Sequence, residues 1–142
     1  MGFLSKLFTG AGTAGSNENT TILAGKSILA IDASLTILVI FKLIFKPYNC
    51  KLITAGSGQE LLALLTEASP DIVLLGMPLK DFPWSELARI IKEQYPAVPI
   101  ILLRSTFAKC SKEEADKIGI YKVIDKPFDS IILVNEVIRA MR

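Results

Sequence analysis

The sequence contains no histidine. That absence excludes Ser-His and Cys-His nucleophilic catalysis, His-ligated metals and any phosphohistidine step through this chain. Cysteine is nearly absent as well. Cys50 and Cys110 are the only two, too few for a four-cysteine zinc site. They belong toward opposite ends of the pattern described below, too far apart to bridge. Two lone thiols behind no recognisable signal peptide predict a reducing cytoplasm. Charge of one sign is also lacking. Sixteen Lys and Arg against 14 Asp and Glu leave +2, which gives no electrostatic argument for a nucleic-acid partner. Nor is there a long apolar run. Leu35 to Phe41, extended past Lys42 to Phe45, is the longest, and Asp32 and Lys42 bound it short of the roughly 18–20 residues a membrane span needs.

What is present fits one domain. The chain has 142 residues, 51% of them hydrophobic and 21% charged, which excludes disorder of the whole chain. A mean hydropathy of +0.45 is high and points to some exposed apolar surface. Residues 1–25 differ from the rest. Gly10 to Asn19 is small and polar and reads as a flexible linker. Ahead of it, Phe3, Leu4, Leu7 and Phe8 share one helical face. This stretch reads either as a frayed terminus or as a short docking segment for a membrane surface, a partner or the domain itself. It is too short to hold a helix alone. Lys6 stands where a myristoylation pattern needs Ser or Thr.

From Lys26 to Arg142, short apolar runs alternate with amphipathic ones. Ser27–Ile31, Lys51–Ala55, Ile72–Leu75, Pro99–Leu103 and Tyr121–Ile124 read as strands. Helices are predicted from Ser34 to about Lys46, from Ser57 or Gly58 to before Pro70, from Ser85 to Gln94, from Ser111 to Ile118 and from Asp129 to Met141. Gly119 is the expected C-cap of the fourth. This alternation implies a parallel sheet with helices on both faces. The working crevice of such a fold lies at the carboxyl ends of the strands. There the sequence places Asp32-Ala33, Gly76, Arg104-Ser105 and Asp125-Lys126-Pro127-Phe128.

Three stretches together, Ile31-Asp32-Ala33-Ser34, Asp71-Ile72-Val73-Leu74-Leu75 and Lys126-Pro127-Phe128, resemble the receiver domain of bacterial two-component response regulators. The resemblance covers about Lys26 to Arg142. It implies an α/β, flavodoxin-like, doubly wound five-stranded parallel sheet of order 2-1-3-4-5 with five helices in three α/β/α layers. It also implies a chemistry. Two adjacent acids after strand one hold Mg²⁺, an aspartate ending strand three accepts a phosphoryl group, a Thr or Ser ends strand four, and a Lys precedes a cis proline. Metal and lysine neutralise charge on the phosphoryl group and the hydroxyl grips it afterwards.

Most of those positions are altered here. Asp32 matches the first acid, but Ala33 replaces the second. Gly76 stands at the acceptor position, flanked by Leu75 and Met77. Arg104 replaces the hydroxyl, with Ser105 beside it, and Val123 stands where an aromatic residue is common. Only Asp32 and Lys126 survive. The expectation is a non-enzymatic pseudo-receiver without cofactor or metal. Asp32 is expected to be bridged by Arg104 and Lys126, either as a partly buried cluster or as a surface ion pair worth about 0–1 kcal/mol. The rivals are phosphotransfer through Asp32 or Asp81, a membrane adaptor anchored by residues 1–8, and an enzyme of the same fold. No glycine-rich phosphate loop follows the first strand, which argues against the last.

A domain of this kind acts through surfaces, and a protein partner or self-association is the expectation. In the first helix Ile37, Ile40, Phe41, Ile44 and Phe45 suffice for the core, leaving Leu38, Val39 and Leu43 outside. In the last, Leu133, Val134 and Val137 suffice, leaving Ile131, Ile132 and Ile138. These six are expected to form either an exposed interaction face on two adjacent helices or an overgrown core. Trp84 is expected to pack as a lid on Phe82 and Pro83.

Overall fold

The computed structural model describes residues 22–105 and 109–142. The expected segment 1–8, the Gly10–Asn19 linker and residues 106–108 lie outside the described residues. Five strands form one parallel sheet: β1 (Ser27–Ile31), β2 (Lys51–Ala55), β3 (Ile72–Met77), β4 (Ile100–Arg104) and β5 (Lys122–Asp125). Their order is β2-β1-β3-β4-β5. The helices are α1 (Leu35–Phe45), α2 (Gly58–Ala68), α3 (Trp84–Gln94), α4 (Lys112–Ile118) and α5 (Ser130–Ala140), with a 3-10 turn at Lys46–Tyr48. The flavodoxin-like arrangement is the expected one.

Caps account for the helix starts. Ser34, Ser57 and Ser111 each accept a hydrogen bond from the backbone N–H three residues on, and Asp129 accepts from Ile131 and Ile132. Each satisfies N–H groups that an uncapped helix leaves unpaired. Pro47 sits in the first positions of the 3-10 turn that follows α1 and does not extend the helix, since proline supplies no N–H. Gly119 closes α4 at φ 94°, where a Cβ would be strained.

Two apolar layers cover the sheet. The face under α1 and α5 is packed with Ile28, Ala30, Phe41, Phe45, Leu133 and Val137 among others. Phe41 and Phe128 stack with ring centroids 5.9 Å apart. The opposite face, under α2, α3 and α4, holds Leu29, Ile31, Leu61, Leu87 and Ile91. Leu23 is fully buried in the first layer and Ile22 packs beside it, so packing begins ahead of Lys26.

Two of the six residues expected on the outer face are in the core. Leu38 and Ile138 are buried. Leu38 lies one turn before Phe41, and Ile138 one turn after Val134, so each shares a ridge with a core residue. On this side of the sheet α1 and α5 each bury a wide arc. Ile37, expected inward, is half-buried at the margin of the layer. Val39 (53% exposed), Leu43 (45%), Ile131 (37%) and Ile132 (54%) do face outward. Leu35, at 76%, joins them. Its place in the first turn, ahead of the inward positions, hid it from the sequence reading.

Candidate functional site

β1 delivers Asp32 to the carboxyl edge of the sheet, between β2 and β3. Its side chain is almost fully buried. Oδ1 accepts the Ser34 N–H at 2.9 Å, and Oδ2 accepts from Lys126 Nζ at 2.5 Å. Lys126 arrives from the end of β5 and also donates to the Met77 carbonyl at 3.4 Å. Its peptide bond to Pro127 is cis. Charge-assisted bonds of this kind are short and fix the two side chains against each other.

Gly76 lies in β3 directly beneath this pair. A Cβ there would overlap the Asp32 carboxylate and stand 2.7 Å from the Ile31 carbonyl oxygen. Asp32 therefore occupies the room that a side chain at position 76 would need. Ala33 is exposed beside it. Mg²⁺ favours several oxygen ligands in near-octahedral geometry. One carboxylate with an oxygen already held by lysine, next to Ala33 and Gly76, does not fit that ion. Among the described residues, no three potential ligands converge on a metal-sized site.

Arg104 does not join the cluster. Its Nε donates to Asp125 Oδ1 at 2.7 Å and its Nη1 to the Cys110 carbonyl at 3.1 Å. The reason is register. Arg104 on β4 stands directly opposite Asp125 on β5, and directly opposed residues on neighbouring strands share a face. Asp125 and Lys126 are consecutive, so their side chains leave the chain in different directions. The expected three-membered cluster is thus two separate pairs. Arg104 holds the Asp125 carboxyl below the usual carboxylate range, and Asp125 raises the guanidinium in return. Ser105 is half-buried at the start of the following loop.

Asp81, a rival acceptor, is engaged elsewhere. Its two oxygens accept the N–H groups of Gly58 and Gln59 at 3.0 and 2.9 Å, and the bonds from Gln59 and Gly58 hold its carboxyl below the ordinary range. It thus serves the N-terminus of α2 from a distant loop. No local pattern signals this contact, because Asp81 lies far from Gly58 along the chain. Phe82 packs over the same glycine, where a Cβ would stand 2.5 Å from its ring. Trp84 is not a lid. It opens α3, is buried in the second layer, and donates its indole N–H to the Lys109 carbonyl at 3.3 Å. Val123 lines an open cleft of about 450 Å³ with Arg104, Lys112, Tyr121 and Lys122. Cys50 and Cys110 are free thiols, each pushed up by burial.

A doubly wound sheet of this strand order, with a carboxylate and a lysine meeting at its carboxyl edge, defines a receiver-type signalling domain. The chain belongs to the response regulator receiver domain family, whose pattern it matches over residues 28–138. It is 24% identical over 115 residues to Protein PilG of Pseudomonas aeruginosa, covering 80% of this chain and 85% of that one. It is 31% identical over 72 residues to the DNA-binding transcriptional regulator NtrC of Proteus hauseri, covering 51% of this chain but only 15% of that protein's length. Among solved structures, the signal receiver domain of an HD domain-containing protein from Pseudomonas fluorescens superposes with a TM-score of 0.77 at 26% identity. That match covers 82% of this chain and 94% of the other. The chain is accordingly a two-component signalling domain. Among the described residues no helix is long and apolar enough to cross a membrane.

Proposed function

We propose that this receiver domain signals without accepting a phosphoryl group, as a non-enzymatic pseudo-receiver that works by protein–protein contact in a reducing compartment. The observation that carries the reading is the replacement at the acceptor position. Gly76 has no nucleophile, and the Asp32 carboxylate, bound to Lys126, fills its space. A metal at Asp32 would gain a single carboxylate, one that already pairs with Lys126. The outward residues of α1 and α5, Leu35, Val39, Leu43, Ile131 and Ile132, are the contact face this reading favours. Phosphotransfer through Asp81 is the weaker alternative, because both its oxygens already serve α2.

An amide NMR titration of the full chain with Mg²⁺ tests the proposal. Signals of Asp32, Gly76, Met77 and Lys126 are expected to stay unmoved at millimolar metal. Saturable shifts confined to those residues would contradict it.

A further inference from the structure

We propose that the chain's own N-terminal segment, through Phe3, Leu4, Leu7 and Phe8, docks on the apolar ridge of α1 and the adjoining end of α5. The inference rests on reading that face as the contact surface, and it names the first occupant. Leu35, Val39 and Leu43 recur every fourth residue and form one continuous ridge along α1. Ile131 and Ile132 extend the apolar surface onto the first turn of α5. No charge interrupts α1 before Lys42.

The direction of the chain selects the occupant. The described residues begin at Ile22 and Leu23, which pack in the layer beneath α1 and α5 rather than on the other side of the sheet. Gly25 N–H donates to the Asn49 carbonyl, in the loop just after α1. Gly25 therefore stands by the C-terminal end of α1, the end of the ridge that Leu43 occupies. The roughly 13 residues from Thr9 to Thr21 are mostly small and polar in composition, and a flexible chain of that length spans about 20 Å. The 11 residues of α1 are only about 16 Å long, so the whole ridge is within reach. The apolar residues at the far end of this tether are spaced one, four and five apart, matching one face of a short helix laid on a ridge. A segment too short to fold alone can fold against such a surface. The tether also gives it an effective concentration on the order of millimolar, well above that of a second copy at working concentrations. A partner that uses this face must then displace the segment.

The test uses the full chain, wild type and Leu7→Asp with Phe8→Asp, and methyl NMR at low concentration. Wild type is expected to show NOEs from the Phe3 or Phe8 ring to methyls of Val39, Leu43 or Ile132. The double substitution is expected to abolish them, shift those methyls, and raise bis-ANS fluorescence while the folded core signals persist. In a mixture of two differently labelled samples the same NOEs should vanish. If they persist between copies, the occupant is a second chain and the proposal is overturned. If the ridge methyls are indifferent to the tail substitution, it is overturned as well. Anionic vesicles added to wild type should leave the NOEs in place; their loss on vesicle binding would show instead that the segment prefers a lipid surface. None of these outcomes touches the phosphorylation reading, which is judged by metal titration and by mass.

Discussion

Asp32 and Lys126 are a buried pair whose partners are few, and that shapes what substitution does. Asp32→Ala leaves a lysine at the sheet edge with, among the described residues, a single long bond to Met77, and should cost about 1–3 kcal/mol in urea denaturation. Adding Lys126→Met should restore most of the loss, because removing both halves of a buried pair is often near neutral. A double mutant at least as unstable as Asp32→Ala would show that Lys126 is held by something other than this carboxylate. Gly76→Asp should be destabilising unless Asp32 moves, since the new Cβ meets that carboxylate and the Ile31 carbonyl. Gly76→Asp combined with Asp32→Ala should therefore be more stable than Gly76→Asp alone, and an equal or greater loss would refute the steric account. Asp32 and Lys126 were legible in the sequence as the surviving residues of the crevice. The route of Arg104 was not, because the cross-strand partner of a residue at a strand end depends on register and on side-chain direction, neither of which a single sequence prints.

Caps and breakers made the elements legible. Ser34, Ser57, Ser111 and Asp129, together with Pro47 and Gly119, mark ends by local chemistry, and the structure places those ends within a residue or two of expectation. The outward and inward sets on α1 and α5 were harder. Periodicity gives the mean direction of a helix face but not its width, and the width depends on how many helices share the sheet. Leu38→Glu should therefore cost roughly 3 kcal/mol or more by burying a charge, while Val39→Glu should stay within about 0.5 kcal/mol of wild type. Thermal melts of the two single variants make the comparison. Equal losses would mean that the ridge is core and not surface. At the next element, Asp81→Ala removes the acceptor for two N–H groups of α2 and should loosen its first turn, read as faster amide exchange at Gly58 and Gln59. Unchanged exchange there would show that the turn does not depend on the distant carboxylate.

Taken as a whole, the molecule keeps the receiver scaffold, and the carboxyl edge of its sheet carries two ion pairs, Asp32 with Lys126 and Arg104 with Asp125. Its pH response follows. Asp81 and Asp125 both have carboxyls held below their ordinary value in the folded state. Groups depressed in this way stabilise the fold above the unfolded carboxyl range, and the contribution is lost as pH falls from about 4 toward their folded values. Both are exposed, so the effect is small and screened by salt. Stability should be flat between about pH 5 and 7 on their account and decline below, with Asp81→Asn showing a shallower decline than wild type. A steeper one would reverse the sign argued here. The overall topology was the most legible feature, because five apolar runs separated by amphipathic ones admit few arrangements. The contact partner was the least, because a surface shows its chemistry without showing what meets it. The central claim is loss of phosphotransfer, and intact mass spectrometry after incubation with a small acyl-phosphate donor and Mg²⁺ tests it most directly. The account predicts an unchanged mass for the wild-type chain; a stable, Mg²⁺-dependent gain of one phosphoryl group would contradict it.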